Sequence, residues 1–295
     1  MSSTIQRTIS FKELKLTEVN RSQHYRSDAS GKAINSARVL TQLEKDCAVS
    51  ICPLGEKNLS AFTEPAERDK LNILFATIPG NTRECWTLLD TSAATTTELV
   101  VSEPLLESEE DKKAVAAAEI KILKMINELL PQVDAVLLAG SRPAIWSEDL
   151  YATIAGMTRD ASKLFLADYV GQDMTKTLAA AVPDIIKINE EEFRRTFPEL
   201  AELPLDKAIC EKSAALGNII VVTRGLDSTL AGARGDFFEC PAEKIKALNT
   251  TACGDSFNAG FLYEYLQSRD LEAALKKGTW CAARNAEHDA PGTLR

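Results

Sequence analysis

The residues with the clearest potential for chemistry lie near the C-terminal end of the chain, where small residues at 252–254 precede aromatic residues at helical spacing from Phe257 onwards. Residues 244–248 alternate charged and apolar side chains, which predicts a short strand before this turn. A turn of small residues that opens a helix leaves backbone N–H groups unpaired at the positive end of the helix dipole, and this suits phosphate or a developing oxyanion. Asp255 follows directly and could orient a hydroxyl group for attack on phosphorus, so the pattern indicates phosphoryl transfer. The simpler alternative is that Asp255 only caps the helix and Gly254 only closes the turn.

Composition limits the classes of protein to which the chain can belong. The chain has 295 residues, of which 45% are hydrophobic, and this is enough for one large domain with a buried core. Its formal charge of −9 argues against a nucleic-acid partner, because phosphate backbones are bound by clustered basic residues. The N-terminus has no apolar signal region and no apolar run is long enough to span a membrane, so we expect neither membrane insertion nor secretion. A cytoplasmic location is therefore expected. The seven cysteines are scattered without a C-x-x-C pair, which indicates reduced thiols.

Apolar runs that alternate with helical patterns predict the fold. Such runs are typical of the strands of a parallel sheet, which is buried on both faces. We therefore predict an α/β protein, a Rossmann-like three-layer α/β/α sandwich in which residues 1–295 form one domain. Further extended segments lie at about 4–28 and 74–101. The clearest apolar runs lie at residues 134–139, 163–167 and 218–223.

Residues 249–261 resemble the C-terminal signature D-T-x-G-A-G-D-x-F-x-A-G of the ribokinase-like, or phosphofructokinase B, family of carbohydrate kinases. The resemblance implies that Asp255 is the catalytic base. It also implies that the backbone N–H groups of Ala252, Cys253 and Gly254 stabilise charge on the transferred phosphoryl group. An aspartate with an ordinary pKa of about 4 is ionised at neutral pH, so the proton transfer requires no unusual pKa shift. Alanine replaces a glycine of the signature at position 252, which is tolerable only if this residue does not need a positive φ angle.

Further motifs of the family follow in the same order along nearly the whole chain. Gln6 takes the place of an aspartate that contacts sugar hydroxyls in an N-P-A-x-D motif, and most of the strand that leads to this motif in the family is absent. Gly31, Lys32 and Asn35 match parts of the pattern G-G-K-G-x-N-x-A. The resemblance implies that they line the substrate site and that Lys32 helps to hold a phosphate already present on the substrate. Alternatively Lys32 is a solvated lysine, although a cation in the first turn of a helix opposes the helix dipole.

Two loops resemble the sugar-binding loops of particular branches of the family. The residues G-N-T-R that end at Arg83, followed after a gap by Thr-Glu at 97–98, resemble the G-x-T-R…T-E pattern of phosphofructokinases and tagatose-6-phosphate kinases. The resemblance assigns Arg83 to the substrate phosphate, which a guanidinium can bind bidentately. The G-S-R-P segment around Ser141 resembles the family's S-G-S-x-P, which implies contact between Ser141 and the sugar; the alternative is an ordinary strand-to-helix turn.

The remaining motifs resemble the nucleotide and metal sites of the family. Lys187, Asn189 and Glu192 match K-P-N-x-x-E, except for an isoleucine in place of the proline. By this resemblance Asn189 and Glu192 organise Mg²⁺ through its waters, since Mg²⁺ prefers oxygen ligands and retains water. The alternative is a solvated helix start. The residues that the resemblance assigns to the nucleotide are Lys187, Thr223, Gly225 and Asn285.

Together these motifs predict an enzyme that transfers the γ-phosphoryl group of Mg-ATP to a primary hydroxyl of a phosphorylated hexose. One alternative is a kinase of an unphosphorylated sugar or a nucleoside. Another is a catalytically degenerate protein that binds a sugar phosphate or nucleotide, which the departures at Gln6, Ala33, Asn249 and Ala252 would favour. No Walker loop and no G-x-G-x-x-G motif before a helix occur in the sequence. The resemblance also implies that the extended segments at about 4–28 and 74–101 form a small β-sheet lid, and the lid is the expected surface of a homodimer.

Overall fold

The computed structural model describes residues 2–103, 106 and 108–295. Its strands are β1 (Thr4–Phe11), β2 (His24–Ser30), β3 (Ser50–Gly55), β4 (Ile73–Ile78), β5 (Glu84–Asp90), β6 (Thr95–Val101), β7 (Ala135–Ala139), β8 (Leu164–Asp168), β9 (Ile185–Asn189), β10 (Ile219–Thr223), β11 (Thr229–Ala233) and β12 (Asp236–Cys240). Its α-helices are α1 (Lys32–Leu43), α2 (Ser60–Arg68), α3 (Glu109–Leu129), α4 (Leu150–Asp160), α5 (Gln172–Ala180), α6 (Glu190–Thr196), α7 (Leu205–Leu216), α8 (Cys253–Ser268) and α9 (Leu271–Ala286).

The largest sheet has six strands in the order β12-β11-β10-β9-β8-β7. Strands β7 to β10 are parallel to one another, and β11 and β12 extend the sheet in antiparallel pairs. The parallel strands consist almost entirely of apolar residues because helices cover both of their faces. Their carboxyl ends meet at one edge of the sheet, where open α/β sheets bind ligands.

Helices on both faces of this sheet complete the three predicted layers. On one face, Ile186 and Ile188 of β9 belong to a core that includes residues of α3 to α7. On the other face, Ile185 packs in a second core with Phe257 and Phe261 of α8 and with residues of α9. Helix α1 contacts α8 on this second side. The prediction of an α/β/α sandwich is confirmed.

A separate four-stranded sheet, in the order β2-β1-β5-β6, contains most of the segments that the sequence assigns to the lid. Strands β1 and β2 form an antiparallel hairpin, β5 pairs with β1 in parallel, and β6 pairs with β5. Glu98 of β6 accepts a hydrogen bond from the hydroxyl of Thr251 at 3.3 Å. This sheet therefore reaches the turn that precedes α8.

The assignment of residues 74–76 to the lid is wrong. These residues belong to β4, which pairs in parallel with β3 in a two-stranded sheet. Ala76 and Ile78 are buried in the core formed with α3, while Ile73 and Phe75 pack against a different core around Phe62. A strand with apolar contacts on both faces belongs to the body of an α/β protein rather than to a sheet with one solvated face.

The short strand predicted at residues 244–248 is also wrong. This segment has no strand pairing, and only Ile245 among its residues is partly buried. Leu248 is exposed, and its N–H donates to the carbonyl of Ala286 at the end of α9. A segment with alternating charged and apolar residues forms a strand only where it can pair with the edge of a sheet.

Two structural observations bear on the cellular environment of the chain. All seven cysteines are free thiols. Within residues 2–103, 106 and 108–295, no helix combines the length and the apolar character needed to cross a bilayer.

Candidate active site

The first turn of α8 brings Asp255 to the carboxyl edge of the large sheet, between α1 and β8. The carboxylate is buried, and its Oδ2 accepts a hydrogen bond of 2.8 Å from the side-chain amide of Asn35. The hydroxyl of Ser36 donates to the backbone carbonyl of Asp255 at 2.9 Å. Two consecutive residues of α1 thus hold this aspartate in place.

The environment of Asp255 changes its acidity. Burial raises its pKa to about 6, and the negative charge of Asp168 acts in the same direction. The hydrogen bond from Asn35 and the charges of Lys32 and Lys187 oppose the rise without cancelling it. Proton transfer does not require this rise, and the sequence does not predict it, because it does not show how completely a side chain in the first turn of a helix will be buried.

Asp168, at the end of β8, connects several groups of the site. Its two oxygens accept hydrogen bonds from Lys32 Nζ at 3.1 Å and from Asn258 Nδ2 at 2.6 Å, and Lys187 Nζ lies 3.6 Å from Oδ2. Burial alone would raise the pKa of Asp168, but the two lysines and the amide hold it below the usual value. Asp168 is not among the residues that the sequence motifs assign to the site. The available signal was a carboxylate at the carboxyl end of a buried parallel strand.

Lys32 and Lys187 place two cations beside Asp255. The nearby carboxylates of Asp168 and Asp255 raise the pKa of Lys32 even though partial burial works against its charge. Lys187 is buried in β9, and its Nζ lies 2.9 Å from where a Cβ on Gly254 would be. Glycine at position 254 therefore lets the amine approach the turn at the start of α8. A lysine pair beside a buried aspartate can hold an anion and leave the carboxylate ionised at neutral pH.

The turn before α8 differs in detail from the predicted anion hole. The N–H of Cys253 donates to the carbonyl of Thr250 at 3.3 Å, so this donor is already used within the turn. In the part of the chain that the structure describes, the N–H groups of Ala252 and Gly254 have no such partner. These two groups are the better candidates for binding an anion.

Ala252 has a φ angle of 65°, in the left-handed region. The condition under which alanine replaces glycine freely at this position is therefore not met. A residue with a Cβ pays roughly 1–2 kcal/mol for this conformation.

We expect Ala252→Gly to raise the free energy of unfolding by about 0.5–1 kcal/mol, because relief of the strained φ exceeds the added entropy of the unfolded chain. kcat is expected to be retained, since glycine adopts the same conformation freely. Ala94→Gly is the matched control, because Ala94 has a φ of 51° in the exposed turn between β5 and β6. Chemical denaturation and kcat of both variants test this account. A loss of stability in Ala252→Gly alone would contradict it.

Two asparagines hold this turn in place. Asn285 of α9 is buried, and its amide nitrogen donates to the carbonyl of Thr251 and to Cys253 Sγ, while its oxygen accepts the N–H of Gly292. The polar atoms of Asn285 are thus bonded within the protein, and its assignment to the nucleotide stays a prediction. Asn249 accepts the N–H of Thr251 at 3.0 Å through its side-chain oxygen.

The predicted substrate residues lie around the same edge. Gly31 is packed against the chain itself, because a Cβ there would clash with the carbonyl oxygen of Ser2. Ser141 is exposed directly after β7. Gln6 is buried in the four-stranded sheet, where it donates to the hydroxyl of Thr87 at 2.6 Å.

Arg83 occupies the loop between β4 and β5. Its Nε donates to the hydroxyl of Thr4 at 3.0 Å, and its Nη1 lies 3.4 Å from Oε1 of Glu103. The guanidinium is therefore held by two neighbours rather than extended into solvent.

Asn189 and Glu192 form the capping box of α6. The side-chain oxygen of Asn189 accepts the N–H of Glu192 at 2.8 Å, and Glu192 Oε2 accepts the N–H of Asn189 at 2.9 Å. The two residues therefore cap α6, as the alternative of a helix start predicts. Oε1 of Glu192 takes no part in this capping box. The charge of Glu192 also contributes to the raised pKa of Lys32, so this carboxylate acts on the same site.

The two predicted nucleotide loop residues follow the neighbouring strand. Thr223 ends β10 and pairs with Asn189, which places both at the carboxyl edge of the sheet. Gly225 has a φ of 63°, as a tight turn after the strand requires.

Comparison with known proteins agrees with this geometry. A family model described as pfkB family carbohydrate kinase matches residues 2–293. The chain belongs to the pfkB family of carbohydrate kinases. The family is the one that the motifs around Asp255 predict, so this prediction is confirmed, and this kinase uses ATP as its phosphoryl donor.

Individual relatives of this pfkB kinase are distant in sequence but extend along its whole length. It is 26% identical over 290 residues to the tagatose-6-phosphate kinase of Staphylococcus epidermidis. This alignment covers 96% of this chain and 89% of the relative. The structure of phosphofructokinase-2 from Escherichia coli in complex with fructose-6-phosphate has a TM-score of 0.81 at 14% identity. The superposition covers 97% of this chain and 91% of the phosphofructokinase-2 chain. Ribokinase from Thermotoga maritima has a TM-score of 0.72 at 18% identity, with 99% and 92% coverage. At these identities the two solved structures support the fold alone.

Proposed function

We propose that this pfkB kinase transfers the γ-phosphoryl group of ATP to a primary hydroxyl of a phosphorylated hexose. The observation that carries the proposal is the buried carboxylate of Asp255, held by Asn35 and flanked by the cations of Lys32 and Lys187. A carboxylate that must accept a proton needs to be ionised and fixed in position, and this arrangement supplies both conditions at neutral pH.

In the proposed reaction the hydroxyl oxygen attacks the γ-phosphorus, its proton passes to Asp255, and the bond to the leaving oxygen of ADP breaks. A base with a pKa of about 6 is mostly ionised at pH 7 and can return its proton to solvent after each turnover. The N–H groups of Ala252 and Gly254, together with Lys187, stabilise charge on the phosphoryl oxygens. Thr223 and Gly225 border the nucleotide in this proposal. Positioning supplies most of the rate enhancement.

We also propose a magnesium site that the protein holds mainly through water. Within the described residues there is no cluster of three or more acidic, histidine or cysteine side chains that would bind a metal directly. Oε1 of Glu192, which takes no part in the capping box, and the side chain of Asn189 offer oxygen atoms, which is the donor type that Mg²⁺ prefers when it retains several waters. When bound, the ion would neutralise charge on the ATP phosphates.

The phosphorylated substrate is inferred from Arg83 and Lys32. Lys32 is paired with Asp168, and Arg83 is paired with Glu103. We infer that a substrate phosphate takes the place of these carboxylates as the anionic partner of the two cations. The relative from Staphylococcus epidermidis carries the name of a sugar-phosphate kinase, which supports this choice. Fructose 1-phosphate, fructose 6-phosphate and tagatose 6-phosphate are the candidates. Gln6 and Ser141 would contact the sugar.

Arg83→Ala is expected to raise KM for the sugar phosphate by about 10- to 100-fold, because one charge-assisted pair to phosphate is lost. KM for ATP should stay within about twofold. Steady-state kinetics with each substrate varied in turn measure both values. Arg21→Ala, in an exposed loop of the β1–β2 hairpin, is the matched control and should change neither. Equal increases in both KM values for Arg83→Ala would remove its assignment to the sugar phosphate and favour a free sugar or a nucleoside as acceptor.

We propose further that the four-stranded sheet closes over the substrate and pairs two copies of the chain. Support comes from its outer strand β6, where Leu99, Val100 and Val101 are 54%, 51% and 60% exposed. An edge strand that exposes an apolar segment of this kind is a common site of association. Light scattering should give a dimer for the native chain and a monomer for Val100→Lys; a monomeric native chain would exclude the pairing.

The free thiols support the cytoplasm as the compartment.

A further inference from the structure

The side-chain amide of Asn35 contacts Asp255 through its nitrogen, and two other side chains bind its oxygen. Asn35 Nδ2 donates to Asp255 Oδ2 at 2.8 Å. Asn35 Oδ1 accepts hydrogen bonds from the hydroxyl of Ser30 at 3.0 Å and from Nη1 of Arg38 at 3.3 Å. All four residues are buried, so a hydrogen bond lost here is not readily replaced by one to bulk water.

The chemistry of these neighbours fixes the orientation of the amide. A guanidinium can only donate hydrogen bonds, and an ionised carboxylate can only accept them. If the amide of Asn35 turned by half a rotation, its NH2 group would face Arg38 and its oxygen would face Asp255. Both hydrogen bonds would then become repulsive contacts. Ser30 and Arg38 therefore keep the NH2 group of Asn35 directed at Asp255.

Arg38 is itself held in one place. Its Nε donates to Asp69 Oδ2 at 3.1 Å. Its Nη1 also donates to the carbonyl of Pro291, and its Nη2 donates to the carbonyl of Ala29. The guanidinium is thus bonded to the segment after α2, to the C-terminal segment and to β2, so its donor towards Asn35 has a fixed position.

Ser30 supplies the second donor to Asn35. It is the last residue of β2, and its hydroxyl makes the shorter of the two bonds to Asn35 Oδ1. In the pattern G-G-K-G-x-N-x-A, which Gly31, Lys32 and Asn35 partly match, the position of Ser30 is a glycine and has no hydroxyl. This donor is therefore absent from the pattern, and a small residue at position 30 would remove it.

The orientation of the amide matters because Asp255 changes its protonation state in the proposed reaction. An amide free to turn could accept the O–H of protonated Asp255 through its oxygen, which would stabilise the protonated form. An amide held as a donor stabilises the ionised form instead. The titratable groups that face Asp255 are Lys32 of α1, Lys187 of β9, Asp168 of β8 and Cys253 of its own helix. Their influence is present in both orientations of the amide.

We propose that Ser30 and Arg38 are positioning residues that hold the amide of Asn35 as a hydrogen-bond donor and thereby keep Asp255 ionised at neutral pH. This inference rests on the proposed role of Asp255 as the base. Ser30 and Arg38 act through Asn35 alone. The consequence for the reaction is that Asp255 releases its proton to solvent after each turnover, instead of retaining it in a hydrogen bond to the amide oxygen.

The test measures the acid limb of the kcat/KM–pH profile and, independently of activity, the pKa of Asp255. Carbon NMR of the full chain labelled at its aspartate carboxyl groups gives this pKa, and the signal is assigned by its absence in Asp255→Asn. Ser30→Ala should raise both values by about half a pH unit, because the turned amide becomes accessible. Ser30→Ala combined with Arg38→Lys should raise them by about one pH unit.

Two further variants are the controls. Ser30→Thr retains the hydroxyl and should keep both values at those of the native chain. Thr41→Ala removes a hydroxyl of the same helix that donates to the carbonyl of Ala37, and it should change neither value. Circular dichroism verifies that each variant is folded.

An unchanged acid limb and an unchanged pKa of Asp255 in Ser30→Ala and in the double variant would overturn the proposal. A fall in kcat at every pH without movement of the acid limb would overturn it as well, because Ser30 and Arg38 would then only support the fold. A raised pKa of Asp255 in these variants, together with full activity of Asp255→Asn, would support the fixed amide and refute Asp255 as the base.

Discussion

Asp255→Asn is expected to lower kcat by a factor of about 10²–10⁴ and, at the same time, to make the fold more stable. The loss of activity follows because the amide cannot accept the hydroxyl proton. The gain in stability follows because an ionised carboxylate no longer has to be buried. A rise in the pKa of Asp255 from 3.8 to about 6 corresponds to at most about 3 kcal/mol at neutral pH.

The pH dependence of this stability gain has a definite sign. The folded state of the native chain favours protonated Asp255, so its contribution to stability is present below a pH of about 4 and is lost as pH rises through about 6. The variant should therefore exceed the native chain in free energy of unfolding at pH 7.5 and match it near pH 4. Over the same range, kcat/KM of the native chain should fall about tenfold per pH unit below 6.

Denaturant titrations at several pH values and initial rates measure these quantities. Asp206→Asn, at an exposed position in the first turn of α7, is the matched control and should change the free energy of unfolding by less than about 0.5 kcal/mol. A variant that loses activity and also loses stability at pH 7.5 would show that Asp255 supports the fold, which contradicts the role assigned to its burial.

Asp168→Asn is expected to destabilise the protein by about 3–5 kcal/mol, because it leaves the buried amine of Lys187 without a carboxylate partner. We expect kcat/KM to fall by about 10- to 100-fold as Lys32 and Lys187 lose the group that positions them. Because the charge of Asp168 raises the pKa of Asp255, its removal should also move the acid limb of the pH–rate profile below pH 6. A simple loss of folded protein cannot produce this shift of the acid limb.

Glu199→Gln provides the control for Asp168→Asn. It removes the carboxylate that lies 2.7 Å from Lys212 Nζ, a lysine of α7 that none of the site residues contacts, and should leave the pH–rate profile unchanged. If Asp168→Asn retained both the native stability and the native acid limb, the network around Asp168 would have no positioning role.

The sequence predicted the elements whose residues repeat at a regular spacing. The aromatic residues from Phe257 onwards mark the buried face of α8, and the apolar runs mark the parallel strands, because periodicity reflects burial directly. Residues 244–248 have an equally regular alternation, yet they form no strand, since strand formation depends on a partner that lies elsewhere in the chain. Strand β4 was placed in the wrong sheet for the same reason.

The site was predicted less completely than the fold. Asp255, Lys32, Asn35 and Lys187 could be named from their motifs, but the motifs do not show which groups contact one another. Asp168 joins the two lysines only because β8 and β9 are adjacent in the sheet and α1 starts at their carboxyl edge. Likewise, the hydrogen bonds of Asn285 to the turn before α8 depend on the packing of α9 against that turn. Tertiary contacts of this kind leave no local pattern in the sequence.

ADP release from Mg-ATP in the presence of hexose phosphates, free sugars and nucleosides tests the central claim most directly. We predict turnover with a ketohexose phosphate, formation of the bisphosphorylated sugar, and loss of both signals in Asp255→Asn. Turnover only with a free sugar or a nucleoside would contradict the phosphorylated substrate. Binding of ATP or a sugar phosphate without any turnover would contradict catalysis itself and identify the protein as a ligand-binding member of the family.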